Sequence, residues 1–521
     1  MNKSISIFND VIGPVMRGPS SSHTAASWRI ARISLDILNE PIKKALIEFD
    51  KAGAWASNYR EQGTTLGING GLLRLNITDD RIKDSEALAK KMGVEIRYEI
   101  NSFPTNHTNT VRLTLESISG KKVQIVAISI GGGGFEIQQI EKLDVKIRGD
   151  YFELLIWIKK NDSIPNDIQT IISHNSLSTI SSNEEKILIN LKFSNEVPKE
   201  ILQKLKTNQL IEKFIVINPI LPIVSGKSGE LPFNNISTLL SYAEKNKLDL
   251  GDLGIVYEQN QSGLSKSEIK NKMKETITII EGSINSGLKG TIYKDRILPQ
   301  QSHLIGKSEK DGKILKNSLL NNIVAFVSAI MESKSAMEVI VANPTAGSCG
   351  TVGGALKAVT DDLDSSFEEL IKAYFAAGII GAYFAKGPGF SAEEHGCQVE
   401  CGAASGMAAA GIVQLMGGTA EQAVAAASMA IQNMIGLVCD PVADRVEVPC
   451  LGKNISAAMN ALSSATMACS GFDEVIPLEE VIQTVSKVSA MMPSCNKCTG
   501  QGGLAITDTS IHIKSKLQKN N

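Results

Sequence analysis

Tyr151-Phe152-Glu153-Leu154-Leu155-Ile156-Trp157-Ile158 reads as a β-strand, and it opens the segment around which the chain divides. Residues 165–174 then read as a helix, 178–182 as a short strand, 186–193 as an alternating strand, 198–207 as a helix opened by proline and 211–218 as a last strand. That order is βαββαβ, the split ferredoxin-like motif. Small units of this kind sense ligands in some proteins and only pack or dimerise in others.

On the N-terminal side, residues 1–148 mix strand-like runs, such as 123–130, with helical patterns such as 85–92, which predicts an α+β domain. On the C-terminal side, 221–235 carries Pro222, Gly226, Gly229 and Pro232 and has a linker's composition. Residues 1–320 are rich in Lys, Ile, Asn and Asp, whereas 340–510 is dominated by Ala, Gly, Met and Val, whose small members let helices approach closely, so an all-α domain is expected over 236–521. A chain of 521 residues exceeds what one core supports, and three folded parts are consistent with that limit.

Charge excludes some function classes. Lys and Arg total 53 against 55 Asp and Glu, leaving a net charge of −2, so no bulk attraction to nucleic acid or anionic membrane is available. No signal-like or membrane-spanning apolar run is evident, and a cytoplasmic protein is expected. Eight cysteines are too sparse for a disulfide scaffold, and none precedes residue 349. Five fall between Cys397 and Cys469, two form Cys495-x-x-Cys498, and Cys349 stands in a glycine-rich turn. Clustered thiols in a reducing compartment point to metal binding or catalysis.

Four groups of residues could carry chemistry. Gly18-Pro19-Ser20-Ser21-Ser22-His23-Thr24 packs hydroxyls and an imidazole beside a helix start, where free amides cap the helix or hold a carboxylate. Asn343-Pro344-Thr345-Ala346-Gly347-Ser348-Cys349-Gly350 repeats the arrangement. Cys397, Cys439 and Cys450 each adjoin a turn-forming residue and are separated by 42 and 11 residues. Neither a zinc ribbon nor a bacterial ferredoxin has that spacing, and three thiolates on a cubane would leave one iron open as a Lewis acid; three core cysteines are the plain alternative. Cys495-x-x-Cys498 lacks a thioredoxin-like setting. Gly131-Gly132-Gly133-Gly134 has neither phosphate-loop signature, so its glycines are assigned to close backbone approach, to a substrate or to a neighbouring domain.

Taken together, these motifs resemble the iron–sulfur-dependent L-serine dehydratases (L-serine ammonia-lyases). The likeness is carried by Gly18–Thr24, Ile128–Gly133, Asn343–Gly350, Gly396-Cys397-Gln398, Gly436–Val442, Val448-Pro449-Cys450 and Gly502-Gly503-Leu504-Ala505, in order along one chain. The resemblance implies a [4Fe-4S] cluster on Cys397, Cys439 and Cys450, and elimination of water from L-serine to give pyruvate and ammonium. It implies that the 149–220 unit is ACT-like, standing between a β-type and an α-type region. Substrate contacts would come from Ser20, Ser21, Ser22, Thr24, Asn343, Thr345 and Ser348, and catalytic roles from His23, Thr64 and His395. The partner would be a small amino acid, with self-association into a symmetric homo-oligomer and no nucleic acid or membrane.

The chain departs from the family in three places. The family's His-Gly-Thr-Asp reads Gln62-Gly63-Thr64-Thr65, its Arg-Glu-Thr reads Lys497-Cys498-Thr499, and its His-Pro-Asn-Thr reads His107-Thr108-Asn109-Thr110. Glutamine cannot take a proton at neutral pH, so the base is His23, His395 or another group, or the substrate is a different amino acid such as threonine or cysteine. A cluster-bearing sensor without catalysis is the reading from another class. No lysine sits in a recognisable pyridoxal motif.

Overall fold

The computed structural model describes residues 5–175, 177–226, 229–293 and 296–519. A six-stranded mixed sheet forms the first layer, in the order Glu95–Asn101, Ile42–Asp50, Thr110–Ser117, Lys122–Ser129, Phe135–Ile140, Leu143–Ile147. Its first pair is parallel and the rest antiparallel. Val111, Leu113 and Leu115 alternate onto one buried face, and helix Ala26–Leu38 packs Ile30, Ile33 and Ile37 into the same core.

The middle segment forms a four-stranded antiparallel sheet in the order Ile211–Ile217, Phe152–Lys159, Lys186–Phe193, Thr179–Ser182, with helices Asn166–His174 and Lys199–Thr207. Both helices begin directly after a proline, whose fixed φ suits the entry. Leu154, Ile156 and Ile158 face these helices, while Leu155 and Trp157 face the other way and join the core of the first sheet. The unbroken apolar run at 154–158 is explained by this: a strand covered on both faces has no polar side to show. The middle unit therefore shares a core with the N-terminal sheet.

After an irregular connection the chain enters a helical body. Four of its helices, Ile236–Asn246, Lys266–Lys289, Phe367–Lys386 and Ala420–Gln432, start in capping boxes formed by Asn235/Thr238, Ser265/Glu268, Ser366/Glu369 and Thr419/Gln422. At the centre lies Cys401–Leu415, almost wholly buried because its Ala, Gly and Ser positions admit neighbouring helices on every side.

Two findings qualify the expected all-α domain and the expected boundary at 148. Val339–Val341 is a short strand, and it pairs antiparallel with Val15–Arg17 from the chain's start. Ile7, Phe8, Val11 and Ile12 are also buried in the helical core, with Phe8 edge-on to Phe375 at 6.2 Å. Gly378 and Gly381 make room for them: a Cβ there would lie 2.7 Å from Ile7 and 2.2 Å from Val11. The burial pattern of this opening segment has no local signature, because its partner helix lies some 370 residues away.

Candidate active site

The hydroxyl-rich turn at Ser20–Thr24 sits where the N-terminal region meets the helical body. Ser21–Ala25 winds as a π-helical turn into helix Ala26–Leu38. Ser21 Oγ accepts from the Ala346 backbone N–H at 3.3 Å, joining this turn to the second hydroxyl-rich turn. Gly131 and Gly133 take positive φ and press against Ser391 and Pro14, so the glycine run makes a close approach between the two bodies.

A small cavity lies at this junction. Ser20, Ser21, Ser22 and Gln62 line it from the N-terminal side, and Glu393, Glu400, Cys439, Cys450 and Cys498 from the helical side. Phe390, Pro441 and Val446 add apolar wall.

Three chain segments deliver the thiols. Cys397 lies in the single turn that precedes helix Cys401–Leu415. Cys439 is held by Cys498, whose N–H donates to its carbonyl at 2.9 Å, and its own N–H donates to Asn496 at 2.8 Å. Cys450 opens helix Cys450–Cys469. Sulfur atoms of Cys397 and Cys439 and a carboxylate oxygen of Glu400 all lie within 4.8 Å of one another. Soft thiol ligands with one carboxylate suit iron–sulfur or zinc rather than a hard cation. Among the described residues all eight cysteines are unpaired.

The electrostatics favour a thiolate at this spot. Cys397 is drawn well below the ordinary thiol range because Cys401 and then Cys439 hydrogen-bond to it, with Lys453 adding its charge. Burial pulls the Lys453 ammonium down, but Cys397 and Asp440 outweigh that and carry it up. Lys453 donates to Asp440 and to the Val438 carbonyl, each at 2.7 Å, which ties the Cys439 segment to the helix of Cys450. Burial and then the charge of Cys397 push Glu400 well above the carboxylate range.

The remaining sequence candidates fall into different places. Thr345 Oγ1 donates to Glu400 at 2.7 Å, and Thr345 and Ser348 cap one another. Asn343 is fully buried beside this turn, and neither amide atom has a hydrogen-bond partner among the described residues. His23 lies behind the serines, bonded to Ser20, Ser22 and Asn58. Thr24 donates to the Gln62 carbonyl, and Thr64 is buried away from the lining. His395 precedes Cys397 but does not line the cavity; its ring lies 4.0 Å from Glu394. Cys349 turns into the core toward Met331, and burial pushes its thiol up to about 12.

Sequence reasoning passed over Glu393, Glu400, Lys453 and Asn454. Glu400 had a legible signal, since three residues after Cys397 it stands one turn away. Asn454 had none: its side chain binds Gly347, Cys450 and Thr351, contacts that exist only after folding.

A thiol cluster at a domain junction, facing a hydroxyl-lined cavity, defines a metal-dependent enzyme of small polar substrates. The family model for the serine dehydratase alpha chain matches residues 193–505, and the chain belongs to that family. It is 37% identical over 285 residues to the probable L-serine dehydratase alpha chain of Bacillus subtilis, covering 55% of this chain and 95% of that one. It is 32% identical over 283 residues to L-serine dehydratase 1 of Escherichia coli, covering 53% and 62%. A further 34% identity over 147 residues, 28% of this chain and 66% of the relative, is to the probable beta chain of the B. subtilis enzyme. No described helix is long and apolar enough to cross a membrane.

Proposed function

We propose that this chain is an iron–sulfur-dependent L-serine ammonia-lyase, converting L-serine to pyruvate and ammonium, with counterparts of both chains of the two-chain enzymes in one polypeptide. The observation that carries the reading is that Cys439 and Cys450, from separate segments, line the cavity faced by Ser20–Ser22, with the Cys397 sulfur within 4.8 Å of that of Cys439. Those three cysteines would hold a [4Fe-4S] cluster, which when bound supplies a Lewis-acidic iron for the substrate's departing hydroxyl.

The chain's own residues bind and orient. Ser21 offers its hydroxyl proton to the substrate's carboxylate, and the oxygens of Ser20 and Ser22, whose protons go to His23 and Glu393, are acceptors for its ammonium. Gln62 Nε2 is buried at the cavity without a hydrogen-bond partner among the described residues, a donor suited to a carboxylate oxygen. Phe390, Pro441 and Val446 keep bulk water from the reacting carbon, which strengthens each polar contact inside. The middle βαββαβ unit is read as ACT-like, and the protein as a cytoplasmic homo-oligomer.

Anaerobically isolated protein tests the reading: it should carry about four iron and four sulfide per chain and release pyruvate from serine. Threonine and cysteine belong in the same panel, since Gln62 replaces the family's histidine. Activity in a colourless, iron-free preparation would overturn the cluster assignment.

A further inference from the structure

Eliminating water from serine requires a group that takes the α-proton, and Gln62 cannot, because a carboxamide has no basic lone pair at neutral pH. Two carboxylates line the cavity. Glu400 stands 3.6 Å from the Cys397 sulfur, with its other oxygen held by the Thr345 hydroxyl, and so belongs to the metal side. Glu393 comes from the turn that faces the serines, and its side chain is only 5% exposed. Its Oε1 accepts from Ser22 Oγ at 2.6 Å and its Oε2 from Ser391 Oγ at 3.1 Å, which fixes the carboxylate in the cavity wall beside the serine turn.

The neighbouring imidazole is already spoken for. His23 Nε2 lies 2.9 Å from Asn58 Oδ1, an acceptor, so Nε2 carries the ring's proton. Nδ1 is then an acceptor. The single proton of Ser22 goes to Glu393, so Nδ1 takes its hydrogen bond from Ser20 Oγ at 3.1 Å. The ring is fully buried, tilted by 35° against Trp55 with centroids 5.5 Å apart, and does not line the cavity. It stands 3.9 Å from Glu393 and steadies the serines that hold that carboxylate.

We propose that Glu393 is the catalytic base that removes the substrate's α-proton, with Ser22 and His23 as its positioning residues. The inference rests on the lyase reading above. In the step, the Cα–H bond breaks and its proton goes to a Glu393 oxygen. The electron pair becomes the Cα=Cβ bond, and the Cβ–O pair leaves with the hydroxyl oxygen. The carboxyl returns its proton to that hydroxide, giving water and aminoacrylate, which hydrolyses to pyruvate and ammonium. No oxidant or reductant is involved.

The test compares anaerobic wild type, Glu393→Gln and Glu393→Asp for iron and sulfide content, thermal melting, kcat, KM, and the isotope effect with α-deuterated serine. E393Q should keep its iron and its melting point, lose about 100-fold or more in kcat with KM changed less than about threefold, and show a larger isotope effect than wild type. E393D should recover part of the rate. An E393Q protein with kcat within about threefold of wild type, or one that loses iron in step with activity, would overturn the assignment alone. Wild-type protein that holds iron but turns over neither serine, threonine nor cysteine would overturn the lyase reading and the base with it.

Discussion

The Thr345 hydroxyl donates to Glu400 Oε1 at 2.7 Å, and so one of the two hydroxyl-rich turns is fastened directly to the carboxylate beside Cys397. Thr345 also caps the following turn, accepting from the Ser348 N–H at 3.2 Å. A small loop thereby supports the thiol cluster from behind.

Thr345→Val removes that donor and the cap while keeping the volume. It leaves buried polar groups unsatisfied and should cost about 1–3 kcal/mol, read as a lower melting temperature of the metal-free protein. Thr345→Ser, which keeps the hydroxyl, should lose well under half of that.

Single alanine substitutions at Cys397, Cys439 and Cys450 should each strip iron and sulfide from the anaerobic protein and abolish its visible charge-transfer absorbance. Cys469 lies at the far end of the helix that Cys450 opens, and Cys469→Ala should leave both unchanged. A wild-type protein with one zinc and no sulfide would contradict the cluster.

Glu258 anchors the chain's opening segment, accepting from Ser6 Oγ at 2.6 Å and from the Ile7 N–H at 2.7 Å. Burial pushes its carboxyl up from 4.5 to about 8. The folded state then holds a proton that the unfolded chain releases, so this group's contribution is fully present below pH 4.5 and is lost as pH rises toward 8. Glu258→Gln should flatten that decline. Melting temperatures of the variant relative to wild type should rise between pH 5 and 8, and a parallel pair of curves would refute the buried-proton account.

A fragment of residues 149–220 should not fold as a compact monomer. Leu155, Trp157, Leu188, Ile215 and Ile217 leave one face of its sheet to the N-terminal core, and alone they would form an exposed apolar patch. Dye binding and self-association of the fragment check this, against a sharp monomeric melt as the contrary result.

Gly381→Ala should detach the opening segment, because the added Cβ meets Val11 at 2.2 Å. Overpacking of this kind costs about 1–3 kcal/mol. Pairing it with Val11→Ala should cost less than the two single losses added, in a double-mutant cycle of melting free energies.

Much of the fold was legible in local pattern. Lys186–Phe193 matched its expected strand, Pro165 and Pro198 marked helix entries, and the Ala- and Gly-rich stretch became closely packed helices. The three cysteines could be singled out because each adjoins a turn former, a short-range property. Their companions could not. Glu393 and Asn454 are ordinary polar residues in sequence, and the partners that bring them to the site include Ser22, Gly347 and Thr351, all about 100 or more positions away.

By itself, then, the sequence determined the element types, the order of the three parts and the thiols worth watching, because periodicity, caps and turn chemistry act over a few residues. Tertiary structure alone decided that residues 5–17 lodge in the helical body, that the middle sheet is covered on both faces, and that Ser22 meets Glu393. Those outcomes depend on which surfaces remain to be buried once the helices and sheets exist, and that information is spread over the whole chain.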